Sequence, residues 1–269
     1  MSLVNIGTFN VNSVKSRMPI LERYLKSVEA PDILCLQETK CQDADFPVDF
    51  FKKLGYKCAY KGMKSYNGVA IVSKKAPDSV SFGLGDGEAE PARAESELAR
   101  VAVARFGDLN IVNTYIPQGK EIDNPDFPYK LRFFERVRAL FEREFKPSDK
   151  VLWLGDLNVA PTDIDVTNPK TKKDHVCFTQ AVKDTYENVL TWGFTDIFRK
   201  FRPNEGEFSF WDYRVKNSLE RNIGWRIDHI LGTAPLVEVS QDAWVVRELR
   251  AMERPSDHTA VVGSFKMQL

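Results

Sequence analysis

Short runs of β-branched and aromatic residues alternate along the chain with longer stretches in which apolar residues recur every three or four positions. The first pattern suits buried strands and the second amphipathic helices. Strands are predicted over residues 3–9, 32–37, 68–73, 98–106 and 109–116, then over 151–154, 226–231, 243–247 and 259–265. Leu131, Phe134, Val137, Leu140, Phe141 and Phe145 fall on one helical face, which turns Arg132, Glu135, Arg136 and Arg138 to water. Two further helices are predicted over 13–28 and 179–191. Strands outnumber helices, so stacked sheets flanked by helices fit better than one doubly wound sheet. Residues 83–97, rich in Gly, Ala and Glu between two predicted strands, read as a mobile loop. No tandem repeat or low-complexity linker interrupts the pattern, and one domain over 1–269 is expected.

Composition narrows the class. With 43% hydrophobic and 28% charged residues in 269, the chain is neither disordered nor a membrane protein, and it can bury a sizeable core. Lys plus Arg (38) balance Asp plus Glu (38), so a polyanion would have to be held by a local patch and not by a globally basic surface. Cys35, Cys41, Cys58 and Cys177 form no CxxC pair, and three histidines add little, which argues against a zinc framework and for reduced thiols. The N-terminus has neither the basic start nor the apolar stretch of a targeting segment, so a cytoplasmic protein is expected.

Candidate chemistry gathers where the apolar runs stop. Thr8-Phe9-Asn10, Cys35-Leu36-Gln37-Glu38, Leu154-Gly155-Asp156-Leu157-Asn158, Arg226-Ile227-Asp228 and Ser256-Asp257-His258 each place a carboxylate or amide at, or within, a strand end. Taken singly, Asp and Asn there serve as turn residues or helix caps, and Tyr115 could simply be core. Gathered on one sheet edge, they would form a pocket of oxygen ligands with one imidazole. Oxygen donors without thiolates favour Mg²⁺ or Mn²⁺, and Mg²⁺ needs only one or two carboxylates because water and phosphate complete its shell. Glu38 with Asn10 and Asp257 satisfies that count. Asp228, between Ile227 and His229, sits in an apolar strand and needs a buried partner, for which a histidine is suitable.

These segments together resemble the exonuclease III family of class II abasic-site (AP) endonucleases, within the endonuclease/exonuclease/phosphatase superfamily. The resemblance rests on Phe9-Asn10-Val11-Asn12, Leu36-Gln37-Glu38-Thr39-Lys40, Tyr115-Ile116-Pro117-Gln118-Gly119, Gly155-Asp156-Leu157-Asn158, Trp211-Asp212-Tyr213-Arg214, Gly224-Trp225-Arg226-Ile227-Asp228 and Pro255-Ser256-Asp257-His258, in family order over nearly the whole chain. It implies a four-layered α/β/β/α sandwich of two mixed sheets. By the same resemblance Glu38 is the principal metal ligand with Asn10 and Asp257 close to the ion, Asp156 activates the attacking water, and Asn158 orients it. Tyr115 contacts the scissile phosphate, and Asp228 holds His258 over the phosphoryl oxygens. Whether Asp156 or the phenolate of Tyr115 is the base stays open in the sequence.

Hydrolysis of a phosphodiester requires such an inventory: an oriented water, cations over the phosphoryl oxygens and help for the departing alkoxide. The implied activity is Mg²⁺-dependent cleavage 5′ to abasic sites in double-stranded DNA, with 3′-to-5′ exonuclease and 3′-repair activity. An abasic nucleotide is selected by flipping into a narrow apolar slot, for which Phe210 and Trp225 are the candidates, with Trp211 beside them. Lys61, Lys64, Arg214, Lys216 and Arg221 are expected to hold the backbone on one face, with Glu88, Glu90, Glu95 and Glu97 elsewhere. Lys172 and His175 stand where some members carry asparagines that contact DNA, and they open the alternative of a predominantly 3′-to-5′ exonuclease. Asn12 replaces an aspartate of some relatives, so one functional Mg²⁺ is expected. Other phosphodiesterases of the superfamily and a silent DNA-binding module are the more distant readings, and a monomer is expected.

Overall fold

The most continuously apolar runs become strands that are buried along their whole length, as at Ile33–Gln37 and Val69–Ser73. The computed structural model, which describes residues 2–89, 92–204 and 206–269, contains two six-stranded sheets. In chain order the first half holds β1 (Ser2–Asn10), α1 (Val14–Leu25), β2 (Ile33–Gln37), α2 (Val48–Lys53), β3 (Lys57–Lys61), β4 (Val69–Ser73), β5 (Ser79–Phe82), α3 (Ala94–Leu98), β6 (Val101–Phe106) and β7 (Leu109–Tyr115). The second half holds α4 (Asp126–Glu144), β8 (Lys150–Asp156), α5 (Gln180–Leu190), β9 (Phe194–Asp196), α6 (Ile197–Phe201), β10 (Asp228–Thr233), α7 (Ala234–Val239), β11 (Ser240–Val246) and β12 (Ala260–Met267). One sheet runs β11-β12-β1-β2-β4-β3 and the other β5-β6-β7-β8-β10-β9.

The sheets pack face to face through Ile6, Ile33, Cys35 and Ile71 on one side and Ala104, Ile111, Leu152, Leu154 and Ile230 on the other. Helices α1 and α2 cover the outer face of the first sheet with Leu21 and Phe51 against Leu34, Leu36 and Val72. Helices α4 and α5 cover the second, where Phe134, Val137, Phe141 and Val182 pack on Val112, Trp153 and Leu231. Each large apolar side chain buried in this way contributes roughly 1.5–3 kcal/mol, which makes the helix seams a main source of stability. The layers are therefore α/β/β/α, as the resemblance implied.

Strands β1 and β2 run parallel, and so do β7 and β8. Their C-terminal ends consequently lie at one end of the sandwich. β10 runs antiparallel to β8 with Asp228 opposite Asp156, and β12 antiparallel to β1 with Val261 opposite Thr8. The starts of β10 and β12 therefore reach the same edge. Gly155 is required there: at φ 145° it lets β8 pass so close to β7 that a Cβ would lie 1.9 Å from the Thr114 carbonyl oxygen.

Three strands escape the hydrophobic pattern, and all three are sheet edges: β3, β5 and β9. Edge strands such as Lys57–Lys61 and Ser79–Phe82 need only partial burial, so lysines and serines blur their alternation. The stretch 83–97 is not simply a loop, because α3 begins at Ala94, and the strand predicted from 98 begins only at Val101. Glu97 is buried, accepts from the Tyr129 hydroxyl (2.9 Å) and pairs with Arg136 (2.9 Å). Arg136 also binds Asp86 through two nitrogens, at 2.7 and 2.8 Å. Arg136 is thus withdrawn from water, and Glu97 from the acidic surface, because each neutralises the other. Glu90 lies outside the described residues. Among the described residues no helix is long and apolar enough to cross a membrane.

Candidate active site

At the shared edge the structure brings together Asn10 from β1, Glu38 after β2, Tyr115 at the end of β7, Asp156 at the end of β8, Asp228 opening β10, and Asp257 and His258 before β12. Glu38, Tyr115, Asp156, Asp257 and His258, with Asn158, line a cleft of about 210 Å³, and Asn10 and Asp228 are buried beside them. Asn10 donates from its side-chain nitrogen to Glu38 Oε1 (2.8 Å) and Asp156 Oδ2 (2.9 Å). Its oxygen accepts from the Asn12 backbone N–H at 3.0 Å, so in this arrangement Asn10 aligns two carboxylates. Asn12 extends the row, donating to Asp257 Oδ1 (3.0 Å) and accepting from Lys40 Nζ (2.6 Å).

His258 is held from both sides. Nδ1 lies 2.8 Å from Asp228 Oδ2, and Nε2 is 3.7 Å from Asp156 Oδ2. Burial alone would favour the neutral ring, but Asp228, Asp156 and Asp257 outweigh it and hold the imidazolium up to about 10. Asp228 itself is buried, and its backbone N–H donates to Ser209 Oγ at 3.1 Å.

The carboxylates differ in kind. For Glu38 burial works against the charge, yet Lys40 (2.7 Å from Oε2) and Asn10 lower it below its ordinary value. Asp156 is raised to about 7, first by burial and then by the neighbouring Asp228 and Glu38, with His258 and Asn10 opposing. Burial, Glu38 and Asp156 also push the Tyr115 hydroxyl well above its usual value, so the phenol keeps its proton at neutral pH here. Asn158 follows Asp156 in a left-handed conformation (φ 49°) and donates from its backbone to Asp156 Oδ1 at 3.1 Å.

The donor chemistry fits a divalent cation. A carboxylate oxygen each from Glu38 and Asp156 lies within 4.8 Å of the other and of a ring nitrogen of His258. Four carboxylates (Glu38, Asp156, Asp228, Asp257) face two cations, Lys40 and the His258 imidazolium, and that excess of negative charge calls for a bound positive ion.

An aromatic wall closes the other side. Phe210 and Trp225 pair through two backbone hydrogen bonds of 2.9 Å, and the Phe210 ring lies 4.8 Å from the His258 ring. His175 packs on Trp225 at 4.4 Å between ring centroids and accepts from the Cys177 backbone N–H (3.2 Å). Lys172 Nζ lies 5.7 Å from the Trp225 centroid, within cation–π reach. Trp211 sits beneath the wall instead of in it: it is buried, and its backbone N–H donates to the Asp257 carbonyl at 2.8 Å.

Lys61 is on the edge strand β3, paired with Asp43 (2.7 Å) and outside the cleft lining. Arg214 is at the mouth, held by Asp212 at 2.7 Å, while Lys64, Lys216 and Arg221 are exposed. Sequence reasoning missed Lys40, although it stands two residues after Glu38 in the quoted motif. It also missed Arg100, whose guanidinium lies 4.7 Å from the Tyr115 ring centroid and which no pattern in the strand 98–106 marks.

Comparison with known proteins agrees with this geometry. The profile of the Endonuclease/Exonuclease/phosphatase family matches residues 7–258. Exodeoxyribonuclease III of Haemophilus influenzae is 33% identical, covering 96% of this chain and 98% of its own. Among solved structures, an AP endonuclease from Archaeoglobus fulgidus superimposes with a TM-score of 0.92 at 41% identity, covering 98% of this chain and all of its own. A 3′–5′ exonuclease from Neisseria meningitidis gives 0.89 at 35% identity, with 98% of this chain and all of its own covered. The chain belongs to the Endonuclease/Exonuclease/phosphatase family, in the branch of exodeoxyribonuclease III and the AP endonucleases, which are metal-dependent nucleases acting on DNA.

Proposed function

We propose that the chain is, as one domain, a Mg²⁺-dependent DNA-repair phosphodiesterase. It cuts 5′ to an abasic site to leave a 3′-hydroxyl and also trims and cleans 3′ ends. The observation that carries this reading is the apolar wall of Phe210 and Trp225 set directly against the His258–Asp156–Glu38 cluster. The cleft, about 210 Å³, is below the roughly 300–1,000 Å³ of pockets that enclose drug-sized ligands, which suits a sugar without its base.

In the reaction, water adds to phosphorus, the bond to the 3′ oxygen breaks, and that oxygen leaves as an alkoxide that takes a proton from solvent water. Asp156 takes the proton from the attacking water, and Asn158 beside it orients that water. The raised Tyr115 hydroxyl makes Asp156 the better base, and Tyr115 serves as a donor to the phosphate. The His258 imidazolium, fixed by Asp228, stabilises negative charge on the phosphoryl oxygens. Glu38 would hold Mg²⁺, with Asn10 and Asp257 beside it, and Mn²⁺ would substitute; the ion supplies Lewis-acid stabilisation of phosphoryl and leaving oxygens. Arg214 at the mouth and Lys172 over Trp225 would contact backbone phosphates.

His175 supports a second reading. Its ring lines the same cleft and packs on Trp225, so it narrows the slot that a flipped sugar would enter and favours 3′-end trimming over internal incision. The test is cleavage of a labelled duplex with one tetrahydrofuran abasic analogue, beside an undamaged duplex with a recessed 3′ end, each with Mg²⁺ and with EDTA. Magnesium-dependent incision 5′ to the analogue is the expected result. Trimming of the recessed end alone would establish the second reading, and no cleavage of either duplex would overturn both.

A further inference from the structure

Lys130 of α4 is buried among Tyr129, Phe133 and Phe134, where the helix otherwise presents hydrocarbon to the second sheet. Placing an ammonium there carries a desolvation cost of several kcal/mol that a methionine would avoid. The cation is satisfied by backbone carbonyls from three separate loops: Gln118 O (3.2 Å), Asn158 O (2.6 Å) and Val176 O (2.7 Å). Each loop supplies the cleft, the first with Gln118 after Tyr115, the second with Asn158 after Asp156, the third with His175 and Cys177. Gly119 confirms how closely the first loop is drawn in: at φ 93° a Cβ would come 3.2 Å from Lys130 Cδ and 3.3 Å from the Phe127 ring.

The second contact has a direct path to the chemistry. Asn158 adopts the left-handed conformation, which costs a non-glycine residue and persists only when its surroundings enforce it. Lys130 grips the carbonyl of that turn, while the Asn158 N–H orients Asp156 Oδ1 and the Asn158 side chain donates to Ile116 O (3.0 Å) and accepts from Cys177 Sγ (3.8 Å). We infer that Lys130 is a positioning residue, a buried cation that ties three loops together and so fixes Asp156 and Asn158 in the geometry of attack. The inference rests on the nuclease reading of the site, but it concerns kcat and the alignment of the loops, not the identity of the substrate.

The experiment compares Lys130→Met, which keeps the length of the stem and loses the donors, Lys130→Gln, which keeps a neutral donor, and Lys130→Arg, which restores a cation. Trimming of a recessed 3′ end is followed as kcat and KM well below each variant's melting temperature, with duplex affinity measured separately in EDTA. Loss of alignment by about 1 Å is worth on the order of a 100-fold loss of rate. The expected result is a kcat lowered about 10- to 100-fold in Lys130→Met, unchanged KM and EDTA affinity, and substantial recovery in Lys130→Arg. If Lys130→Met does not fold, Lys130→Gln is read in its place and should lose kcat in the same way. Full kcat in a folded variant, or a loss confined to KM and EDTA affinity, would overturn the inference. Inactivity of the unaltered protein would instead remove the nuclease reading beneath it.

Discussion

Two buried polar clusters lie back to back in this molecule, and two residues of sequence separate them. Asp228 belongs to the cleft, whereas Arg226 is the centre of an ion network behind it. Arg226 donates to Asp165 Oδ1 (2.6 Å) and Asp196 Oδ2 (2.8 Å), and Arg199 also pairs with Asp165. Two arginines meet two aspartates, and the response is a settled one: burial would raise Asp165, but Arg226 and Arg199 hold it down to about 2, and Asp196 is lowered in the same way. In the cleft the acids outnumber the cations, and Asp156 is raised to about 7. The difference separates a cluster complete in itself from one that awaits a positive ion. Burial and carboxylates are common to both, and the balance of charge distinguishes them: arginines answer the acids of the network, whereas in the cleft neighbouring acids raise Asp156 even though Lys40 lowers Glu38.

The largest expected effect lies in the cleft. Asp156→Asn should lower kcat by about 10²- to 10⁴-fold, the range for a lost general base, while leaving thermal stability unchanged or raised because one of several crowded acids is gone. Steady-state kinetics and a melting curve on the same preparation check both halves. A variant that lost stability along with activity would erase the proposed distinction between the clusters. Arg226→Met probes the other side: it leaves Asp165 and Asp196 buried with too little positive charge and should cost about 3–5 kcal/mol in urea unfolding. The folded fraction should retain most of its kcat, since no group of the network touches the cleft.

Metal sharpens the contrast further. An ion that binds only the folded protein adds about 2.7 kcal/mol at a hundred times its Kd, so Mg²⁺ should raise the melting temperature and EDTA should abolish the increment. Glu38→Gln should remove that increment, and Arg226→Met should keep it. Equal increments in the unaltered protein and in Glu38→Gln would place the ion somewhere other than the cleft.

What could be read in the sequence follows the same division. The site acids were legible because each interrupts an apolar run at a strand end, and β-sheet topology then delivers them to one edge. The α/β/β/α layering was legible where burial imposes a clean period, as in α4 and β2. The network was not, because Asp165 and Arg226 are 61 residues apart and neither stands out from its neighbours until the fold pairs them. Lys130 was hidden for a similar reason, being one basic residue in a helix that also carries four arginines. Gln37 donates to Thr8 Oγ1 (2.9 Å) within its own sheet and to Asn113 Oδ1 (2.7 Å) of the other, and the second pairing is one that only the stacking of two sheets creates. Local pattern thus reported where polar groups break an apolar run, and tertiary structure alone reported which of them are answered by an opposite charge.

The smallest effect is a division of acid sensitivity between the cleft wall and the network. Burial, reinforced by Lys130, Lys172 and Arg214, lowers His175 from its ordinary 6.5 to about 4, so the ring is neutral at pH 7. A folded state that resists protonation has that stabilisation in full above pH 6.5 and loses it as pH falls from 6.5 through 4. Asp165, lowered from 3.8 to about 2, contributes above 3.8 and loses its contribution as pH falls from there through 2. Urea unfolding across pH 2–8 should therefore show two successive losses in the acid limb, and His175→Phe, which preserves the packing on Trp225, should flatten the upper one only. Asp165→Asn should weaken the protein at neutral pH and flatten the lower one only. If His175→Phe left the slope between pH 6.5 and 4 unchanged, the ring would be free to protonate in the folded state. The wall of the slot would then be open enough to admit water, and the case for His175 as an obstruction to a flipped sugar would fall with it.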